Sequence, residues 1–157
     1  MPHVIYLVRH AHAGDASSDE IRTLSHRGRT QVKQLAALLR PAGAFQPDQV
    51  WHSPLVRARE TAELLIGELR LDPAWHELRE LEPEADPALV ARRLAKAHGA
   101  IAVFGHEPHL GSLASLLVTG ESSPVAFVFA KATTLALVPG GARWSVRWQL
   151  SPDLFPE

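Results

Sequence analysis

The chain has 157 residues, 46% of them hydrophobic, with 16 basic against 17 acidic side chains, nine histidines and no cysteine. A chain of this length buries about 70% of its unfolded surface, enough for one domain spanning residues 1–157 without a structural metal. The missing thiols exclude disulfides, Cys-ligated metal clusters and cysteine nucleophiles, and a formal net charge of -1 argues against a general nucleic-acid binder.

Met1 to His10 has neither the basic start nor the long apolar stretch of a secretory signal. The longest aliphatic and aromatic run, Val125 to Ala130, falls far short of the roughly 20 residues that span a bilayer. The expectation is a cytoplasmic protein with no membrane contact.

Val4 to Val8 is a continuous apolar run rich in β-branched residues, which predicts a strand buried on both faces of a parallel sheet, ending at Arg9-His10. A small, polar loop follows, and Ser25 caps a helix whose apolar face is Val32, Leu35, Leu38 and Leu39, stopped by Pro41 and Gly43. Gln49 to His52 reads as a second strand. Ser53-Pro54 then reads as a helix cap with proline at the first helical position, the helix running to about Leu69. Trp75 to Leu81 reads as a third extended segment, Asp86-Pro87 opens a helix to about Ala97, and Ile101 to Phe104 is a fourth strand. Gly105-His106-Glu107-Pro108 turns the chain into a helix from His109 to about Leu117. Thr133 to Val138 and Trp144 to Leu150 form a hairpin around Pro139-Gly140-Gly141-Ala142.

This alternation predicts an α/β fold, a three-layer αβα sandwich around a mostly parallel sheet with an antiparallel edge strand. Ligands of such sheets bind beyond the carboxyl ends of the strands. Arg9-His10, Ser53 to Arg57 and Gly105-His106 each follow a predicted strand, so all three segments are expected at one edge.

Arg57 lies in the first helical turn, where the macrodipole disfavours a cation by roughly 0.3 to 1 kcal/mol. Either Glu60, three positions on, pairs with it, or a phosphate bound at the helix start compensates it. Arginine is rare in cores, and Arg9-His10 at the end of a central strand has little structural reason to be there. Two arginines converging on the same point can fork onto several phosphate oxygens, and their field keeps a nearby imidazole neutral and nucleophilic.

Leu7-Val8-Arg9-His10-Ala11, Ser53 through Thr61 and Gly105-His106-Glu107-Pro108 together resemble the three signatures of the histidine phosphatase superfamily, the phosphoglycerate mutase-like proteins. Arg-His-Ala, Asp19 to Ser25 and Gly-His-Glu-Pro-His look most like its SixA-type phosphohistidine phosphatases. The resemblance implies that His10 is the nucleophile and forms a phosphohistidine, that Arg9 and Arg57 hold the phosphoryl oxygens, and that His106 adds a donor to them. It implies no metal and no cofactor, and a phosphorylated protein or a small phosphorylated molecule as substrate.

Family resemblance places a general acid between the Arg57 helix and the fourth strand, where Glu80 matches best and Glu77 and Glu82 compete; Asp19 is a further candidate. Each is also readable as a solvated charge. Asp19 and Arg22 either meet a phosphate or an acidic substrate surface, or form a capping or salt-bridge pair. A phosphoramidate leaves as imidazole, so its hydrolysis depends less on a strong acid. His12 and His109 lie two or three positions from His10 and His106, and a metal held by His10, His12, His106 or His109 is a rival reading.

Overall fold

The computed structural model describes residues 1–155. Strand β1 (Val4–Arg9) is followed by helix α1 (His26–Ala42), β2 (Gln49–His52), α2 (Val56–Glu68), β3 (Ala74–Glu77), α3 (Pro87–Lys96), β4 (Ala100–Gly105), α4 (His109–Thr119), β5 (Thr134–Pro139) and β6 (Trp144–Leu150). The sheet order is β3-β2-β4-β1-β5-β6. The first four strands in that order pair in parallel, whereas β5 runs against β1 and β6 against β5. No helix among the described residues is long and apolar enough to cross a membrane.

Side chains alternate across a strand, so each strand of the sheet's centre feeds two cores. Tyr6, Val8, Val50, Ala102 and Phe104 pack with Val32 and Leu35 of α1 and Ala62 and Leu65 of α2. On the opposite face Ile5, Leu7, Trp51, Ile101 and Val103 pack with Val90 and Leu94 of α3 and Leu110 and Leu113 of α4. The continuous apolar run of β1 is thus explained by helices on both sides.

Several expected boundaries shift for local reasons. Ser25 caps α1 as expected, its hydroxyl accepting the Gly28 N–H at 3.1 Å. Pro41 does not stop that helix but sits in its last turn, and Gly43, at φ 56°, ends it in the left-handed conformation. Ser53 does not cap α2, which begins at Val56. The expected third strand is only Ala74–Glu77, because a 3-10 turn at Arg79–Leu81 follows. That turn carries Leu78 and Leu81, three residues apart, into the core.

Gly28 shows how tightly α1 is docked to the loop after β1. A Cβ built there would lie 2.0 Å from the His12 carbonyl oxygen. Gly28→Ala is expected to lower stability by about 1 to 3 kcal/mol in urea titration, the usual range for overpacking. Gly67 in α2 has nothing within 4 Å of the same added atom. Gly67→Ala should therefore be neutral or stabilising by up to about 1 kcal/mol, and equal losses for both variants would contradict the packing.

Candidate active site

Strand order concentrates the site. β1 and β4 are parallel neighbours in register at Arg9 and Gly105, so His10 and His106 each stand one residue beyond a strand end. The His10 N–H donates to the Gly105 carbonyl at 3.0 Å, and the Ser53 N–H donates to the Phe104 carbonyl at 3.1 Å, locking the three segments together. The chain leaves β1 toward the face covered by α1 and leaves β4 toward the face covered by α4. Such a switch point opens a crevice at the carboxyl edge of the sheet.

His10 is 5% exposed. Its Nδ1 lies 2.8 Å from the Ala11 carbonyl oxygen, which can only accept, so Nδ1 carries the proton and Nε2 is left with a free lone pair. Arg57 Nε donates toward that lone pair at 3.4 Å. Burial first, then the fields of Arg57, Arg9 and Lys131, push the His10 pKa down to about 3, so the ring is neutral near pH 7. The ring of His106 lies 5.1 Å away, centroid to centroid.

Arg57 is also 5% exposed, and its guanidinium is held by the loop after β1 rather than by Glu60. Nη1 donates to the Asp19 carbonyl at 2.9 Å and Nη2 to Asp19 Oδ2 at 3.2 Å. Asp19 Oδ1 in turn accepts from Arg22 Nη1 at 3.2 Å, while Arg22 Nε donates to the Gly14 carbonyl at 3.0 Å. The Asp19–Arg22 pair is therefore a clasp on Arg57. Glu60 instead accepts the Leu24 N–H at 2.8 Å, fixing the same loop to α2.

Arg9 donates Nη1 to the Phe129 carbonyl at 2.7 Å, and its buried Nε has no partner among the described residues. An unmet buried guanidinium N–H is a condition that a phosphoryl oxygen relieves. His106 is 1% exposed and its Nε2 lies 2.7 Å from Ser53 Oγ. The Ser53 hydroxyl also accepts the Leu55 N–H at 3.1 Å, so it ties the imidazole to the chain entering α2. Burial, and next the neighbouring His10, push the His106 pKa down to about 3.

Glu80 is placed differently from Arg9, His10, Arg57 and His106. Its Oε1 accepts from Arg93 Nη2 of α3 at 2.8 Å, and this bond holds its carboxyl below the usual range. Glu77 is exposed on the edge strand, and Glu82 is half-buried at the end of the 3-10 turn. His12 is engaged by Ser25, Nδ1 to Oγ at 2.6 Å. His109 is 2% exposed with neither ring nitrogen partnered among the described residues.

Two structural supports were not legible as functional. Thr61 Oγ1 accepts the Ala11 N–H at 3.0 Å and donates to the Arg57 carbonyl at 2.7 Å, coupling the loop after His10 to α2. Its spacing of four from Arg57 on one helix was the available signal. Lys131 is a lone cation in an apolar stretch, and its field reaches His10.

This arrangement can hold a tetrahedral oxyanion between two arginines with an unprotonated imidazole nitrogen behind it. The family model described as histidine phosphatase superfamily, branch 1, matches residues 5–85, about half the chain. The chain belongs to the histidine phosphatase superfamily. The matched stretch contains Arg9, His10 and Arg57. Among superfamily relatives, the phosphohistidine phosphatase SixA of Escherichia coli (strain K12) is 29% identical over 153 residues, 94% of this chain and 93% of that protein. An uncharacterized protein of Picosynechococcus is 31% identical over 75% of this chain and 74% of its own. The solved structure of the protein histidine phosphatase SixA complexed with tungstate superposes with a TM-score of 0.82 and 26% identity, covering 96% of this chain and 98% of that one. The fold is accordingly the phosphoglycerate mutase-like α/β fold.

Proposed function

We propose that this chain is a metal-independent phosphatase that removes the phosphoryl group from phosphohistidine on a protein, through a phosphohistidine intermediate on His10. The observation that carries the reading is the tautomer of His10, with Nδ1–H spent on the Ala11 carbonyl and the Nε2 lone pair facing Arg57. Nε2 attacks phosphorus, the substrate's P–N bond breaks, and the departing imidazole takes a proton from solvent. Water then attacks the phosphoenzyme, the His10 P–N bond breaks, and inorganic phosphate leaves with His10 restored. Arg9, Arg57 and His106 stabilise the charge on the equatorial oxygens in both steps. Tungstate in the SixA structure is a tetrahedral oxyanion of the same kind.

Two features favour a phosphoramidate on a protein over a small ester. The carboxyls around the site are committed: Glu80 is held ionised by Arg93, and Asp19 by Arg22 and Arg57. Burial raises Glu107, whose Oε1 accepts the Gly111 N–H at 2.7 Å and whose charge acts on Arg9, so it too is engaged. A general acid contributes about 10²- to 10⁴-fold to expulsion of an alkoxide, and imidazole needs it less. Ile21 and Val128, 51% and 80% exposed, lie in sequence two residues from Asp19 and one from Phe129, whose groups hold Arg57 and Arg9, and a protein partner would cover them.

Turnover of a phosphohistidine-bearing protein, compared with sugar and nucleotide monophosphates, tests this reading. The protein substrate is expected to exceed the esters by at least about 100-fold in kcat/KM, with no loss in chelator. Preference for the esters would leave a small-molecule phosphatase, and binding of phosphate without any turnover would leave a phosphate-binding module.

A further inference from the structure

We propose that Lys131 is a substrate-binding residue, a third cation beside Arg9 and Arg57 that takes an anionic oxygen of the phosphorylated substrate. The inference rests on the phosphatase reading and adds to it a residue outside the three signature segments. Lys131 lies in a stretch stitched to the catalytic strand end on both sides. The Phe129 carbonyl accepts Arg9 Nη1 at 2.7 Å. The Ala132 N–H donates to the His10 carbonyl at 3.2 Å, and the Thr133 carbonyl accepts the Arg9 N–H at 3.1 Å.

The backbone is strained at this point. Ala132 is fully buried at φ 62°, a left-handed conformation that disfavours a residue with a Cβ by roughly 1 to 2 kcal/mol. Strain of this kind persists where the surroundings impose it, and it clusters at functional sites. Here it fixes the chain direction at the residue that follows Lys131.

Electrostatics give the lysine a purpose. The positive fields that act on Lys131 come from Arg9, Arg22, Arg27 and Arg57, and Lys131 acts in turn on His10 and His12. No carboxylate among the described residues pairs with it. Asp19 is taken by Arg57 and Arg22, and Asp15 acts on His12. In sequence, Lys131 is the only charged residue between Glu121 and Arg143. An ammonium among like charges with no carboxylate of its own is unfavourable, and a bound anion reverses the sign. Burial and the neighbouring arginines lower the Lys131 pKa, as expected for an ammonium lacking its partner.

The anionic oxygen has two sources, the phosphoryl group itself or an acidic side chain flanking the phosphohistidine. Lys131→Gln and Lys131→Arg, checked for wild-type thermal stability, are compared on three measurements: kcat/KM for a phosphohistidine protein, KM for phosphoramidate, and inhibition by orthophosphate. Lys131→Gln is expected to lower kcat/KM for the protein by about 10- to 100-fold, the range of one charge-assisted hydrogen bond, and Lys131→Arg to retain most of it. If the oxygen is phosphoryl, the phosphoramidate KM and the orthophosphate inhibition constant rise together. If it is a flanking carboxylate, both stay fixed and the protein-specific loss shrinks at high salt. Lys131→Gln within about twofold of wild type on all three overturns the proposal. Wild-type protein that turns over neither substrate overturns the phosphatase reading itself, a different result.

Discussion

His10→Ala is expected to abolish the phosphoryl adduct and to reduce turnover by about 10⁴-fold or more, the scale set by deleting a covalent nucleophile. Among the described residues at the strand ends, His10 alone presents an imidazole nitrogen with a free lone pair toward an arginine. His106 differs in that Ser53 Oγ lies 2.7 Å from its Nε2, and its Nδ1 is buried without a partner among the described residues. The adduct is a phosphoramidate, so its signature is stability in alkali and lability in acid. Wild-type protein given a radioactive phosphoryl donor and quenched into alkaline denaturant should carry label that acid releases, and His10→Ala should carry none. Equal labelling of the variant would place the nucleophile elsewhere. The variant gives up the bonds to the Ala11 carbonyl and to Arg57 Nε, so circular dichroism at neutral pH is the check that it remains folded.

The catalytic segments were legible because each is a local pattern at a strand end: a β-branched apolar run halting at Arg9-His10, a helix opening before Arg57, a Gly-His turn after Phe104. Periodicity and caps carried the rest of the fold, and Ser25 and Asp86 cap α1 and α3 as read. What local pattern could not supply was the choice among partners that only the tertiary arrangement brings near. Ser53 has the chemistry of a cap, but β4 sets His106 beside it, and the imidazole takes the hydroxyl. Glu80 sits at the expected position for an acid, yet the 3-10 turn that buries Leu81 aims its carboxylate at Arg93, thirteen residues on. Asp19 and Arg22 form a salt bridge, and the same carboxylate also holds Arg57. Thr61 and Lys131 touch the site only through the crossing of α2 and the return of the chain to β5.

Stability is expected to collapse between pH 6.5 and about 4, and the cause is the same burial that keeps His10 neutral. Burial holds His10 and His106 near pKa 3 and His109 near 4, against 6.5 for an exposed imidazole. The sign follows directly. A base whose folded pKa is depressed stays neutral in the fold while the unfolded chain takes up a proton, so stability is complete above 6.5 and is lost as pH falls toward the folded values. Each such histidine contributes a slope of about 1.4 kcal/mol per pH unit across that window. Three together give roughly 4 kcal/mol per unit against a total stability of about 5 to 15 kcal/mol for an ordinary domain. Glu107, raised by burial, opposes this, whereas the lowered Asp19 and Glu80 add to it only weakly because both are exposed to solvent screening. Urea midpoints measured from pH 7 to 4.5 should fall steeply, and His109→Leu, which spares the catalytic groups, should flatten the slope by about a third. A wild-type midpoint that stays level across this range would mean that the imidazoles charge inside the fold. The consequence for catalysis is separable: His10 remains neutral well below pH 6, so the acid limb of kcat/KM should coincide with the loss of tryptophan fluorescence and not with titration of a free histidine.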